Sequence, residues 1–167
     1  MQSKIYMNIK NLANQLVKKY GLRDPLEIVL AKGIILLEED LGEVYGYSHT
    51  YKRQSFIHLN KNCSLKTKRL VCAHELGYLL IHPKEEIHVV TDSSLEPKDD
   101  FERYAKIFAA HLLISDEMVK EHKGKNAEDM AKSLNLPLDL VLIKLNSSHI
   151  CLFFILNFID FRINNFY

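Results

Sequence analysis

Val71-Cys72-Ala73-His74-Glu75-Leu76-Gly77-Tyr78-Leu79-Leu80-Ile81-His82 is the stretch on which the reading of this chain turns. Its pattern predicts a helix from about Leu65 to Ile81, capped by Ser64 and stopped by Pro83. The centre of that helix is apolar nearly all round, so it belongs in a core, and His74 and Glu75 are polar groups there that require partners. The stretch is one letter short of H-E-x-x-H. In that motif two histidines four apart lie about 40° apart around the helix and about 6 Å apart along it, close enough to grip one metal ion. The glutamate after the first histidine then acts as general base for the metal-bound water. Here the last letter is Tyr78. Taken alone, the pair reads more simply as a core histidine bonded to backbone, with a glutamate at the helix rim.

Before this helix, Ile9, Leu12, Ala13, Leu16, Val17 and Tyr20 fall at helical spacing and predict an amphipathic helix stopped by Gly21. Leu26 to Leu30, after Pro25, reads as a short apolar strand, and so does Ile34 to Leu37 beyond Gly33. Val44 to Tyr51 and Ser55 to Leu59 read as an antiparallel hairpin. After the central helix, Lys84 to Lys98 reads as a polar loop with one short strand near Ile87 to Val90. Asp99 or Asp100 caps a helix from Phe101 to Leu113, and Ser115 caps a short one to about His122. Asn126 to Leu134 and Leu138 to Leu145 are two further short helices.

The best internal boundary is Lys123-Gly124-Lys125. It divides the chain into a main domain over residues 1–123, a helix-turn-helix-like extension over 124–146 and an apolar tail over 147–167. The tail suits a strand covering the core, a partner-binding segment or an aggregation-prone end.

The totals exclude several classes. With 167 residues, 47% hydrophobic and 26% charged, the chain reads as globular and able to bury a real core. A net charge of +1 provides no field to steer it toward nucleic acid, membrane or acidic substrate. Cys63, Cys72 and Cys151 lack metal-finger spacing, and their odd number argues against a disulfide framework; they read as reduced thiols of a cytoplasmic protein. The polar N-terminus has no secretory h-region, and the apolar run Ile150 to Phe161 is too short to span a bilayer. No membrane partner is expected.

A second stretch changes the weight of the first. Phe101-Glu102-Arg103-Tyr104-Ala105-Lys106-Ile107-Phe108-Ala109-Ala110-His111-Leu112-Leu113 follows on the next long helix. Together the two resemble the ImmA/IrrE family of zinc metallopeptidases. There H-E-L-G-H-x-L-L-H on one helix is followed by E-x-x-A-N-x-F-A-A-x-L-L-M-P on another. His74, Glu75, Leu76, Gly77, Leu79, Leu80 and His82 match the first pattern. Glu102, Ala105, Phe108, Ala109, Ala110, Leu112 and Leu113 match the second. The resemblance runs from the N-terminal helix to about Leu145 and excludes the tail. It implies an α+β, zincin-like metallopeptidase domain with a small antiparallel sheet packed on the active-site helix, followed by short C-terminal helices.

Carried over position by position, the resemblance makes His74 a zinc ligand, Glu102 the carboxylate ligand and Glu75 the catalytic general base. Tyr78 stands at the second-histidine position as a doubtful ligand. Independently of the family, Glu102 also reads as a capping-box partner of Asp99 or an ion-pair partner of Lys106. His82 is about 12 Å along the helix from His74 and reads as structural, while His111 is on the opposite side of its helix from Glu102. His58 and His88 would reach the site only if the fold brought them there, and Cys72 reads as core.

A neutral phenol is a poor replacement for imidazole, although a phenolate can bind zinc. Loss of one ligand would weaken zinc binding roughly a hundred- to a thousandfold. Lys106 replaces the family's asparagine, and its ammonium is expected to pair with Glu102 when zinc is absent. Ile114-Ser115 replaces Met-Pro, which bears on helix ending.

Three functions follow. The resemblance implies a cytoplasmic endopeptidase that would cleave a helix-turn-helix transcriptional repressor of a mobile element or stress response, its activity impaired or lost through Tyr78. A catalytically inactive module that binds the same protein partner is the second. DNA binding is the third, from the helix pair after Lys125, but its second helix carries only Lys144 as a cation, so nucleic acid is the weakest partner.

Overall fold

A computed structural model describes residues 2–82, 87–90 and 100–147. Over them the chain runs α1 (Gln2–Tyr20), α2 (Pro25–Ala31), β1 (Ile35–Glu39), β2 (Gly46–Tyr51), β3 (Gln54–Asn60), α3 (Leu65–Ile81) and β4 (Ile87–Val90). There follow α4 (Asp100–Leu113), α5 (Asp116–Glu121), α6 (Ala127–Leu134) and α7, residues 138–147. The architecture is α+β: α3 lies against a sheet of order β1-β3-β2-β4 on one side and against α4 on another. Asp99 and the tail beyond residue 147 lie outside the described residues.

The helix starts follow from side-chain caps. Ser64 accepts a hydrogen bond from Thr67 N at the start of α3, Ser115 does the same for Met118 N in α5, and Asn126 for Asp129 N in α6. Leu26 to Leu30, expected as a strand, is instead helical within α2. Asp24 accepts from Leu26 N, and Pro25 occupies the first helical position, where its missing N–H costs nothing. So short an apolar run has no period that separates strand from helix; the Asp-Pro start decides it.

β2 and β3 form the expected hairpin, in register from Gly46 opposite Leu59 to Tyr51 opposite Gln54. Its loop holds Lys52 at φ 47° and Arg53 at φ 69°, the left-handed pair of a type I′ turn. β4 extends the sheet antiparallel to β2, whereas β1 joins β3 in parallel, so the sheet is mixed and not wholly antiparallel. Side chains alternate across it. Ser48, Ile57 and Leu59 are buried toward α3, and Tyr47, His49, Phe56 and His58 stack as a row of rings on the other face.

The main core joins Ile9, Ala13 and Leu16 of α1 to Ile28 and Val29, the inward sheet residues, Val71, Cys72, Ala73 and Leu76 of α3, and Phe108 of α4. A second cluster joins Ala110 and Ile114 to Met130, Ala131, Leu140 and Val141, so the last helices pack on the end of α4. Arg23 adds a tie, donating to the carbonyls of His111 and Leu112 at 3.2 and 3.0 Å. Among the described residues no helix is long and apolar enough to cross a membrane.

Lys144 of α7 is buried with its ammonium 2.7 Å from Asp116 Oδ1 and 3.5 Å from His111 Nδ1. Burial, then the Lys144 charge, then Lys10 lower the His111 pKa to about 4, with Asp116 opposing. A histidine held neutral in the fold binds its proton only in the unfolded chain between its ordinary value of about 6.5 and about 4. Stability should therefore fall as pH drops through that window, by roughly 2–3 kcal/mol from this group, and level off below it. His49, lowered by burial and by His58, acts in the same direction. The Asp116 carboxylate, lowered chiefly by Lys144, loses its contribution only at more acid pH. Denaturant unfolding at pH 7.5 and 4.5 checks this: His111→Gln should reduce the difference, and an unchanged difference would rule the account out.

Candidate functional site

α3 and α4 cross where small residues permit it. A Cβ built on Gly77 would stand 2.7 Å from Phe108 Cδ1, so only glycine lets that ring seat against α3. Ala105 and Ala109 are likewise buried along α4. The helices come close enough for two side chains to meet across the gap: His74 Nε2 lies 3.0 Å from Glu102 Oε2, each side chain 14% exposed. Two donors at about 2.0–2.1 Å from one tetrahedral zinc stand roughly 3.3 Å apart. The pair is therefore within a few tenths of an ångström of the spacing that two metal ligands need.

The third donor is where the set falls short. A catalytic zinc takes three protein ligands and keeps one position open. Among the described residues no group of three His, Cys, Asp or Glu side chains converges. Tyr78, one turn beyond His74, has its ring 5.5 Å from that of His82. His82 forms the C-cap of α3 and packs on Phe101 at 4.0 Å and near Tyr104 at 6.3 Å, which suits its structural role. Among the described residues, His74 and Glu102 fit two zinc donors and a second imidazole beside them is lacking.

Glu75 faces the sheet and is completely buried. Ser48 Oγ donates to its Oε2 at 2.5 Å. This hydroxyl was not legible from the sequence, because nothing in the β2 pattern marks one serine among its inward residues as facing α3. Lys106 has its ammonium against the Asp139 carboxylate of α7, and Glu102 has His74 as a close partner.

The other candidates separate. His58 is on the sheet face turned from α3, with Nδ1 2.5 Å from Glu39 Oε2 and its ring 4.2 Å from that of Tyr47. His111 is with Lys144, away from Glu102. The backbone of His88 is at the β4 register position beside Ser48. Cys72 is a buried free thiol whose pKa is pushed up by burial, and Cys63 is also free.

Comparison with known proteins finds relatives over most of the chain. The IrrE N-terminal-like domain model, Peptidase M78, matches residues 30–146. The uncharacterized immunity region protein 2 of Bacillus phage phi105 is 30% identical over 142 residues, covering 83% of this chain and 90% of that protein. Metallopeptidase ImmA of Bacillus subtilis strain 168 is 32% identical over 135 residues, covering 77% of this chain and 79% of that protein.

Proposed function

Because this chain belongs to the IrrE N-terminal-like family of metallopeptidases, we propose that it is an ImmA/IrrE-like zinc endopeptidase domain directed at a helix-turn-helix repressor, with its cleavage impaired at Tyr78. The observation that carries this reading is the asymmetry of the site. His74 and Glu102 meet at 3.0 Å as two metal donors would, while a phenol holds the position of the third. Zinc, when bound by such a site, polarises a peptide carbonyl and acidifies a water. Glu75 is the residue that would take the proton from that water, and the half-buried His74–Glu102 pair would supply both donors at one point. With one imidazole missing, no complete cleavage step is assigned to the chain as it stands.

The repressor as partner rests on the family and on the phage immunity-region relative, and the compartment is the cytoplasm on the same reading. A second reading shares the same site: the chain binds the repressor without cutting it. Zinc content of the freshly purified protein, together with incubation against a helix-turn-helix repressor, tests the proposal. Zinc well below one per chain and slow or absent cleavage are expected. Stoichiometric zinc with full turnover would show that Tyr78 impairs nothing.

A further inference from the structure

Between α1, α4 and α7 lies a cleft of about 200 Å3, walled by Tyr6 of α1, Arg103, Lys106 and Ile107 of α4, and Ile143 and Ser147 of α7. Two of these residues are cations, yet the walls are almost wholly apolar. The reason is where the charged heads go. The Lys106 ammonium pairs with the Asp139 carboxylate, and the Arg103 guanidinium is 2.5 Å from Asp100 Oδ1 and 5.6 Å from the centre of the Tyr104 ring. What is left for the cleft is their aliphatic stems.

We propose that this cleft is the docking site of the chain's own segment 148–167, which seats one of its first aromatic side chains there. The proposal does not depend on the peptidase reading, and it concerns a segment beyond the match to the family model, which ends at residue 146.

Three observations favour this occupant. The first is position. Ser147 is both a wall of the cleft and the residue from which the segment departs. Its Oγ donates to the Lys144 carbonyl at 2.7 Å, which ties down the last turn of α7 at that wall. At no more than about 3.6 Å per residue, Ile150 to Phe154 fall within about 25 Å of Ser147 along the chain. The second is composition. Ser148 to Ile159 contains no Asp, Glu, Lys or Arg, and Ile150-Cys151-Leu152-Phe153-Phe154-Ile155-Leu156 is apolar without a break. Leaving such a run in water is unfavourable when an apolar wall stands beside it. The third is size. An apolar cavity of about 150 Å3 takes up a benzene molecule, so about 200 Å3 suits one aromatic ring and not a partner's helix. Tethering then decides between this segment and a second copy of the chain. A segment joined at the wall is present at an effective concentration of about millimolar, far above that of separate copies at micromolar dilution.

The experiment uses the full chain. It contains no tryptophan, so one placed in the segment reports on its own surroundings alone. Phe153→Trp and Phe154→Trp are made separately. At least one is expected to emit toward the blue and resist acrylamide quenching, at any protein concentration. Adding Ile143→Glu, which puts a charge on the wall of the cleft, should shift that emission to the red and raise quenching severalfold. Leu142→Glu, at an exposed neighbour that does not line the cleft, should change neither. A thermal melt of each variant checks the fold, and Ile143→Thr is read in the same way where the glutamate is not tolerated. Red, fully quenched emission from both probes overturns the proposal and leaves the cleft to a separate partner. Blue emission that survives in a folded Ile143 variant overturns it by placing the segment elsewhere. Blue emission that is lost on dilution overturns it in favour of a second copy.

Discussion

Tyr78→His is expected to raise zinc affinity a hundred- to a thousandfold and to bring repressor cleavage with it. Four-ligand zinc sites are worth about 10–16 kcal/mol, so one ligand contributes about 2.5–4 kcal/mol, and about 1.4 kcal/mol is a factor of ten. The new imidazole would stand one turn along α3 from His74, on the same helix face, with Glu102 already 3.0 Å from His74 on the other side. Against that gain stands the loss of the half-buried Tyr78 side chain, whose ring lies beside His82. A change of that kind typically costs about 1 kcal/mol of stability, so the metal gain prevails. Competition with a chromophoric chelator measures the affinity, and the repressor assay measures turnover. A Tyr78→His protein that binds zinc no more tightly than the parent would remove the basis for reading this site as a peptidase centre.

Phe108→Ala is expected to destabilise the fold by about 3–5 kcal/mol. Its ring is fully buried where α3 and α4 touch, seated against the one backbone position, Gly77, that has no side chain to displace it. Few neighbours can collapse into the space, because helix backbone lines one side of it. The reciprocal change, Gly77→Ala, should cost about 1–3 kcal/mol by overpacking, since the added Cβ would sit 2.7 Å from the ring edge. Gly77→Ala should also widen the gap spanned by His74 and Glu102, and Phe108→Ala removes the ring that fixes its width, so a zinc-binding Tyr78→His background should lose affinity when either is added. Denaturant unfolding and the same chelator competition check the two effects. Loss of stability with unaltered zinc affinity would mean that Phe108 supports the core without setting the donor spacing.

The elements that surround the site were legible to different degrees, for identifiable reasons. α3 and α4 announce themselves through long runs with helical spacing, an N-cap serine in α3 and matching small residues at Ala105 and Ala109. The hairpin was legible too, although its turn carries Lys52 and Arg53 where Asn-Gly would be the usual choice, because the two flanking strands alternate. α2 was misread because Ile28 and Val29 favour strands and the run is too short to show a period; the Asp24-Pro25 start outweighed that preference. The parallel partnership of β1 with β3 was hidden, since the hairpin strand β2 lies between them in sequence but on the far side of β3 in space.

What the sequence by itself determined is the identity of the chemical groups and their order along two helices: His74 and Glu75 one residue apart, Tyr78 a turn later, Glu102 near the start of the next long helix. Helical periodicity settles which of these share a face, and that is a local property. Only the tertiary structure decided which groups meet. Gly77 and Phe108 set how near α4 lies, and so bring Glu102 to His74; Gly46 sets how near β2 lies, and so brings Ser48 to Glu75; Asp139, far along the chain, takes up Lys106. Those distances depend on packing between segments remote in sequence, where a single absent side chain lets one element approach another by about an ångström, enough to make or break a hydrogen bond.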